Sequence, residues 1–314
     1  MNRNQMLGLE LKRNARIGGE GEASSRSQYC IRKVLSVSEL AVVYAARNET
    51  DGSRCVVKEF CPGRFVYRSK DGATLRRKAG TAADKYEVLW NAFQQEGALL
   101  EKLDHPGIVR CLDRFEQNGT AYIVMEYCEG VTLDKYIAAN KAAIAPRFFY
   151  ETILPFIDTL DYLHRFGIIH RDLKPGNLMI ASGGACKLLD FGSAAATGGT
   201  EERRPILTTA GYSPLELYSE QSRQGSESDI YSLAAVLYFC CRGHAPTDVR
   251  KRLFEERQEL VDAEMKRAWP FLSRAIERGL AVPADKRRIS LDRFKAAIRL
   301  ECRLSWLYRR GYKY

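Results

Sequence analysis

The sequence predicts an α+β fold whose first part is rich in strands and whose second part is rich in helices. Three observations carry this. Between Tyr29 and Glu126, short apolar and β-branched clusters alternate with turn signals such as Asp51-Gly52 and Asn118-Gly119. Beyond Gly130, apolar residues recur at helical spacing over long stretches. The chain has 314 residues, 45% of them apolar, which suffices for one large domain or two smaller ones.

Residues 1–28 carry Gly18-Gly19, Gly21 and Ser24-Ser25 with little apolar periodicity, so they are expected to form a flexible lead-in. Ile31, Val34 and Leu35, then Val42-Val43-Tyr44, then Cys55-Val56-Val57 predict three antiparallel strands. Tyr86 to Leu103 places Leu89, Phe93, Leu99, Leu100 and Leu103 among polar residues, as a helix does, and His105-Pro106-Gly107 stops it. Ile108–Glu116 and Ala121–Glu126, joined at Asn118-Gly119, complete an expected five-stranded sheet. Helices are expected at Leu133–Ala139, Phe148–Phe166, Asp229–Cys241, Phe271–Leu280 and Leu291–Glu301, the third strongly apolar and so buried. The aromatic stretch Trp306 to Tyr308 and the cations Arg309, Arg310 and Lys313 form a tail.

The connection from Glu59 to about Tyr86 is long for a compact domain, and such connections are functional or disordered. It holds Arg64, Arg68, Lys70, Arg76, Arg77, Lys78 and Lys85 against Asp71 and Asp84, a large part of the net charge of +10. The expectation is a mobile solvated loop, with docking of an anionic partner to residues 64–85 as the alternative. No nucleic-acid partner is expected. No run of eighteen apolar residues occurs, so no membrane span is expected, and Met1 to Gln28 lacks the apolar core of a secretory signal. The nine cysteines form no Cys-x-x-Cys pair, which points to reduced thiols and a cytoplasmic protein rather than a zinc site or a disulfide framework.

The chemistry is concentrated in His170-Arg171-Asp172-Leu173-Lys174-Pro175-Gly176-Asn177, followed by Asp190-Phe191-Gly192. This order supplies a carboxylate base, a lysine, an amide metal ligand and a metal-binding carboxylate, the set that phosphoryl transfer from ATP requires. The segment resembles the catalytic loop and Asp-Phe-Gly motif of eukaryotic-type (Hanks-type) serine/threonine protein kinases. Lys58-Glu59-Phe60-Cys61-Pro62 and Gly211-Tyr212-Ser213-Pro214 resemble a bacterial group of these. The resemblance implies a bilobal kinase domain over residues 29–300, with an N-lobe at 29–126, a hinge at 126–130 and a C-lobe at 131–300, followed by a tail at 301–314.

Carried over residue by residue, the resemblance makes Asp172 the base and Lys174 the neutraliser of charge on the transferring group. Asn177 and Asp190 would hold Mg2+, a hard cation that prefers oxygen ligands. Lys58 would contact the ATP phosphates, held by Glu96 on the following helix. Val43, Val56 and Met179 would sandwich adenine, Met125 would guard the back of the pocket, and Glu126 and Cys128 would belong to the hinge. His170, Phe191, Leu100 and Cys111 match an apolar column linking the lobes. Asp229 would hydrogen-bond the catalytic-loop backbone, Glu216 would pair with Arg287, and Arg171 would receive a phosphate on Thr197, Thr200 or Thr208, the last two preferred.

One element departs from the family. The segment that should cover the phosphates has Ser36, Ser38 and Ala41 where glycines are expected. Glycine allows close backbone approach and positive φ, so weaker nucleotide binding or a stiffer loop is expected. The leading expectation is an active protein kinase with a serine/threonine acceptor, including autophosphorylation. The alternatives are a pseudokinase scaffold and a kinase of small molecules, and Lys174 with the Thr209–Glu216 docking element argues against the latter.

Overall fold

The computed structural model describes residues 8–19, 27–140, 144–197, 208–219, 221–254 and 260–311, with side chains in the last helix as far as Ser305. The chain divides into two compact units, Met1–His105 with Val109–Cys128, and Pro106–Ile108 with Glu129–Tyr314.

The first unit is built on an antiparallel sheet of β1 (Arg16–Gly18), β2 (Gln28–Val37), β3 (Ala41–Asn48), β4 (Arg54–Phe60), β7 (Cys111–Gln117) and β8 (Thr120–Glu126) in the order β1-β2-β3-β4-β8-β7. Six strands replace the expected five because the lead-in is not all flexible. Arg16–Gly18 pairs with Gln28–Cys30, and Leu9, Leu11 and Ile17 are buried. Gly18 N–H also donates to Gln117 Oε1 at 2.8 Å, tying β1 to the far edge strand.

The long basic connection is also ordered. Val66–Arg68 (β5) and Leu75–Arg77 (β6) form a hairpin, closed by Asp71, whose carboxylate accepts from Ala73 N–H and from Thr74 N–H and hydroxyl. Arg68 is buried, Arg77 pairs with Glu87 at 2.7 Å, and Lys78 Nζ donates to Gly63 O at 2.7 Å. These three cations serve the fold, which accounts for part of the charge of 64–85 without an anionic partner. Helix α1 (Ala83–Lys102) follows, with Phe93, Glu96, Gly97 and Leu100 on its buried side. The strand expected from Ile108 begins at Cys111, because Ile108 itself belongs to the second unit, where it bridges to Leu188.

The second unit is mainly helical. Its strands β9 (Gly130–Thr132), β11 (Leu178–Ala181) and β12 (Cys186–Leu188) form a small sheet in the order β12-β11-β9, and β10 (Ile168–Ile169) pairs with β13 (Ala195–Ala196). Its helices are α2 (Leu133–Ala139), α3 (Pro146–Phe148), α4 (Leu154–Arg165), α5 (Ser226–Arg242), α6 (Val249–Arg252), α7 (Ala263–Ala268), α8 (Leu272–Gly279) and α9 (Leu291–Gly311). The helix expected over Phe148–Phe166 is split by one π-helical stretch, Phe149–Ile153, between α3 and α4. The core helix α5 is buried almost throughout, as its strongly apolar sequence predicts, and Gly243 ends it at φ 77°. A Cβ on Gly279 would stand 2.6 Å from the Ala234 Cβ, so glycine permits the close packing of α8 on α5. Helix α9 continues past Glu301 to Gly311, so the segment expected as a tail begins within the last helix. Glu301 accepts from the N–H groups of Phe271 and Leu272 at 2.7 and 2.8 Å, satisfying orphan donors at the start of α8.

Candidate active site

Strand alternation sets the first group of residues. Along β4 the side chains of Val56 and Lys58 share one face, with Cys55, Val57 and Glu59 on the other. Val43 stands opposite Lys58, and Met125 opposite Val56, so Val43, Val56, Lys58 and Met125 share a face, as their expected roles require. On that face Lys58 Nζ meets Glu96 Oε1 and Oε2 at 2.6 and 2.8 Å. Glu126 N–H donates to Arg110 O, Glu126 Oε1 accepts from Arg110 N–H, and the half-buried Cys128 is the last residue of this unit.

The glycine-free segment closes as a tight turn. Ser38 N–H donates to Ala41 O at 2.9 Å, Ser38 Oγ accepts from Ala41 N–H at 3.0 Å and from Leu40 N–H at 3.4 Å. The hydroxyl replaces glycine's freedom with a local capping bond, and no residue of the turn has positive φ. Ser36 sits in β2 opposite Val43, and Ala41 begins β3 opposite Phe60.

The second group lies on the loop between β10 and β11. Arg171 has φ 69°, an uncommon left-handed backbone for a side chain this large. Asp229, at the start of α5 and fully buried, holds that conformation. Its Oδ1 accepts from Arg171 N–H and its Oδ2 from His170 N–H, both at 2.8 Å, and His164 Nε2 lies 2.8 Å from Oδ2. The bend presents Asp172. Lys174 Nζ is 2.6 Å from Asp172 Oδ2, and Asn177 Nδ2 donates to Asp172 O and Oδ2 at 2.8 and 3.0 Å. Asp190 follows β12, where Leu189 N–H donates to Asn177 O at 3.0 Å and Gly192 N–H to Asp190 Oδ1 at 3.1 Å. Met179 lies on β11 opposite Thr132 and Lys187, part-buried.

The sequence marks Thr209 only as the start of the expected docking element, yet its side chain touches Asp172. Its Oγ1 donates to Asp172 Oδ1 at 3.0 Å and accepts from Lys174 Nζ at 3.3 Å. A lone threonine gives no signal in sequence, and only the fold brings it to Asp172. Behind the loop, His170 packs edge-on against Phe191 at 5.1 Å. Burial lowers the His170 pKa against the opposing pull of Asp229, Asp172 and Asp190, so the imidazole is neutral. In the first unit Leu100 is buried and Cys111 half-buried. Glu216 pairs with Arg287, whose Nη2 is 2.9 Å from Glu216 Oε2, and Ser228 Oγ donates to Glu216 Oε1 at 2.9 Å.

The family model for the protein kinase domain matches residues 39–286. This chain belongs to the protein kinase family.

Kinases of bacteria are among its relatives. It is 32% identical over 226 residues, 70% of this chain, to the serine/threonine-protein kinase PrkC of Bacillus subtilis (strain 168), covering 31% of that protein. It is 40% identical over 165 residues, 49% of this chain, to the serine/threonine-protein kinase PknB of Mycolicibacterium smegmatis, covering 26% of that protein. The chain therefore matches less than a third of the length of these kinases. A solved structure described as the PpkA-294 apo form matches with a TM-score of 0.77 at 26% identity, covering 92% of this chain and 99% of that one.

Protein kinases use magnesium, and the donor set suits it. Asn177 makes both hydrogen bonds to Asp172 through its side-chain amide nitrogen, which turns the amide oxygen away from Asp172 as a hard acceptor. Asp190 adds a carboxylate. Of the threonines considered as regulatory sites in this kinase chain, Thr197 donates its hydroxyl to Gly167 O at 3.0 Å, and Thr200 lies outside the described residues. Arg171, considered as the phosphate receptor, donates from Nη1 to Ser193 O at 3.3 Å.

Proposed function

We propose that this chain transfers the γ-phosphoryl group of magnesium-ATP to serine and threonine hydroxyls of proteins, its own included. The observation that carries the reading is the arrangement at Asp172: a carboxylate held by Lys174, Asn177 and Thr209, on a loop locked by the buried Asp229. In the reaction the acceptor oxygen attacks the γ-phosphorus, the bond to the β,γ-bridging oxygen breaks, and ADP departs. The hydroxyl proton passes to Asp172. Lys174, beside Asp172, offsets charge on the transferring group. Asn177 and Asp190 would hold magnesium, whose charge would neutralise that of the phosphate oxygens. Lys58, fixed by Glu96, holds the α- and β-phosphates, while Val43, Val56, Met125 and Met179 provide apolar surface for adenine and Glu126 and Cys128 its backbone contacts. Ser36, Ser38 and Ala41 border the phosphates on a turn stiffened by Ser38.

A protein acceptor is favoured over a small molecule by the element from Thr209 to Glu216, braced from below by Arg287 and reaching Asp172 through Thr209. A cytoplasmic setting is supported by nine free cysteines, among which burial pushes Cys55, Cys61 and Cys186 up to about 12. No described helix is long and apolar enough to cross a membrane.

The test is incubation with labelled ATP, magnesium and generic protein substrates, followed by mapping of the phosphate by mass spectrometry. Phosphate on serine or threonine is expected. Absence of transfer with absence of magnesium-ATP binding would reject the reading, and transfer to small hydroxyl compounds alone would reject the acceptor class.

A further inference from the structure

Behind Lys58, on the opposite face of the same strand, lies a buried ionic cluster. Glu59 is completely buried, and its two carboxylate oxygens accept four hydrogen bonds. Arg68 donates from Nη1 to Oε1 at 2.9 Å and from Nη2 to Oε2 at 2.7 Å. Tyr44 donates to Oε2 at 2.7 Å and Tyr122 to Oε1 at 3.1 Å. Burial and the neighbouring Glu59 charge raise both tyrosines well above their ordinary pKa, so each remains a hydroxyl donor.

The cluster reaches outward to two segments distant in sequence. Arg68 Nε donates to Leu9 O at 2.8 Å, a bond that Nη2 reinforces, and Nη1 donates to Ala73 O at 2.7 Å inside the β5–β6 hairpin. The Tyr44 hydroxyl accepts from Leu11 N–H at 3.0 Å. The N-terminal segment and the hairpin are thereby fastened to β4 at the residue beside Lys58.

Buried ion pairs are poor sources of net stability, because desolvation offsets much of the attraction, and apolar residues of equal volume serve a core as well or better. Their attested use is to specify geometry. On a strand that geometry is register. A slip of one residue exchanges the faces of Lys58 and Glu59, and the fork of Arg68 can meet Glu59 only when Lys58 points to the other side.

We propose that Glu59 is a positioning residue for Lys58, held by Arg68 and Tyr44, with the backbone at Leu9 and Leu11 as the outer part of the clamp. The proposal rests on the assignment of Lys58 to the ATP phosphates. One anchor on each face of β4, Glu96 in front and Glu59 behind, fixes the ammonium where it is needed. The N-terminal segment becomes a working part of the kinase unit.

The test uses the full chain and the variants Tyr44→Phe, Glu59→Gln and Arg68→Met, of which Tyr44→Phe removes one oxygen and least threatens folding. Two readouts are taken well below each variant's melting temperature. The first is trace acetylation of Lys58 relative to Lys295, a buried ion-paired lysine of the second unit that reports general loosening. The second is the steady-state KM for ATP beside kcat. The expected result is a Lys58/Lys295 ratio raised severalfold, with KM up about fivefold and kcat within about twofold, the pattern of lost ground-state binding. A purely structural cluster would lower melting temperature and leave the ratio and both kinetic constants at wild-type values, which would overturn the proposal. Wild-type protein that binds no magnesium-ATP would sink the kinase reading instead, and the acetylation ratio would still decide whether Glu59 positions Lys58.

Discussion

Lys58 and Glu96, 38 residues apart, form a two-point ion pair that joins β4 to α1, with nitrogen–oxygen distances of 2.6 and 2.8 Å. Glu96 is 3% exposed and Lys58 13%, so removing either partner leaves a poorly solvated charge. Glu96→Gln is expected to lower the free energy of unfolding by about 3 kcal/mol, the cost of breaking a buried pair. It is also expected to lower kcat/KM by about a hundredfold, since a displacement of about 1 Å in a group that positions the phosphates can cost that much. Denaturant titration and steady-state phosphorylation check the two effects separately.

The left-handed backbone of Arg171 costs of order 1–3 kcal/mol and persists because Asp229 accepts from both neighbouring N–H groups. In Asp229→Asn the amide NH2 would face donors on at least one side. The expected outcome is a loss of about 3 kcal/mol in stability and at least a tenfold fall in kcat, because the loop that aims Asp172 relaxes. Unchanged kcat in a well-folded variant would show that the loop keeps its shape without Asp229.

Arg287 is wholly buried against Glu216 and also donates to the carbonyls of Ala281, Val282 and Glu227. Glu216→Gln leaves the guanidinium charge without its counter-ion. A stability loss of about 3–5 kcal/mol is expected, measured by chemical denaturation. Arg287→Lys should lose nearly as much, because an ammonium cannot make the two-point contact or reach the same carbonyls.

His170 makes stability pH-dependent in a definite direction. Burial lowers its pKa in the folded protein below that of the unfolded chain, near 6.5. Between the two values the unfolded chain binds one more proton, so stability is fully present above about pH 6.5 and falls as pH drops towards the folded value. His170→Phe removes this proton. Denaturation curves from pH 7.5 to 5 should show a shallower decline for the variant than for the wild type, and parallel declines would contradict a neutral buried imidazole.

The charged residues of the site were legible because charge is scarce in the places where they occur. Lys58 ends an apolar strand, Glu96 interrupts a helix that must bury that side, and Asp172, Lys174, Asn177 and Asp190 are spaced within one short stretch. The partners Asp229 and Arg287 followed from the same family pattern and stand where it put them. Arg68 was not legible: a lone arginine among six other cations reads as solvated, and only Glu59, nine residues earlier on a buried face, makes it a core residue. Strand β1 was hidden for a related reason. Leu9, Leu11 and Ile17 are isolated apolar residues whose burial depends on β2, the hairpin and Tyr44, none of which a local window contains. Ser38 shows the limit at single residues, since its hydroxyl closes the turn in a way that neither propensity nor the missing glycines announced.

The most direct measurement is phosphate transfer from labelled ATP with magnesium by the wild type beside Asp172→Asn, with acceptor sites mapped. Asparagine keeps the shape of the loop and cannot take the hydroxyl proton. Label on serine and threonine residues is predicted for the wild type, reduced by about a thousandfold in the variant, consistent with loss of a general base from a preorganised site. Wild-type protein that binds magnesium-ATP without transferring phosphate, or a variant that transfers it undiminished, would contradict the account.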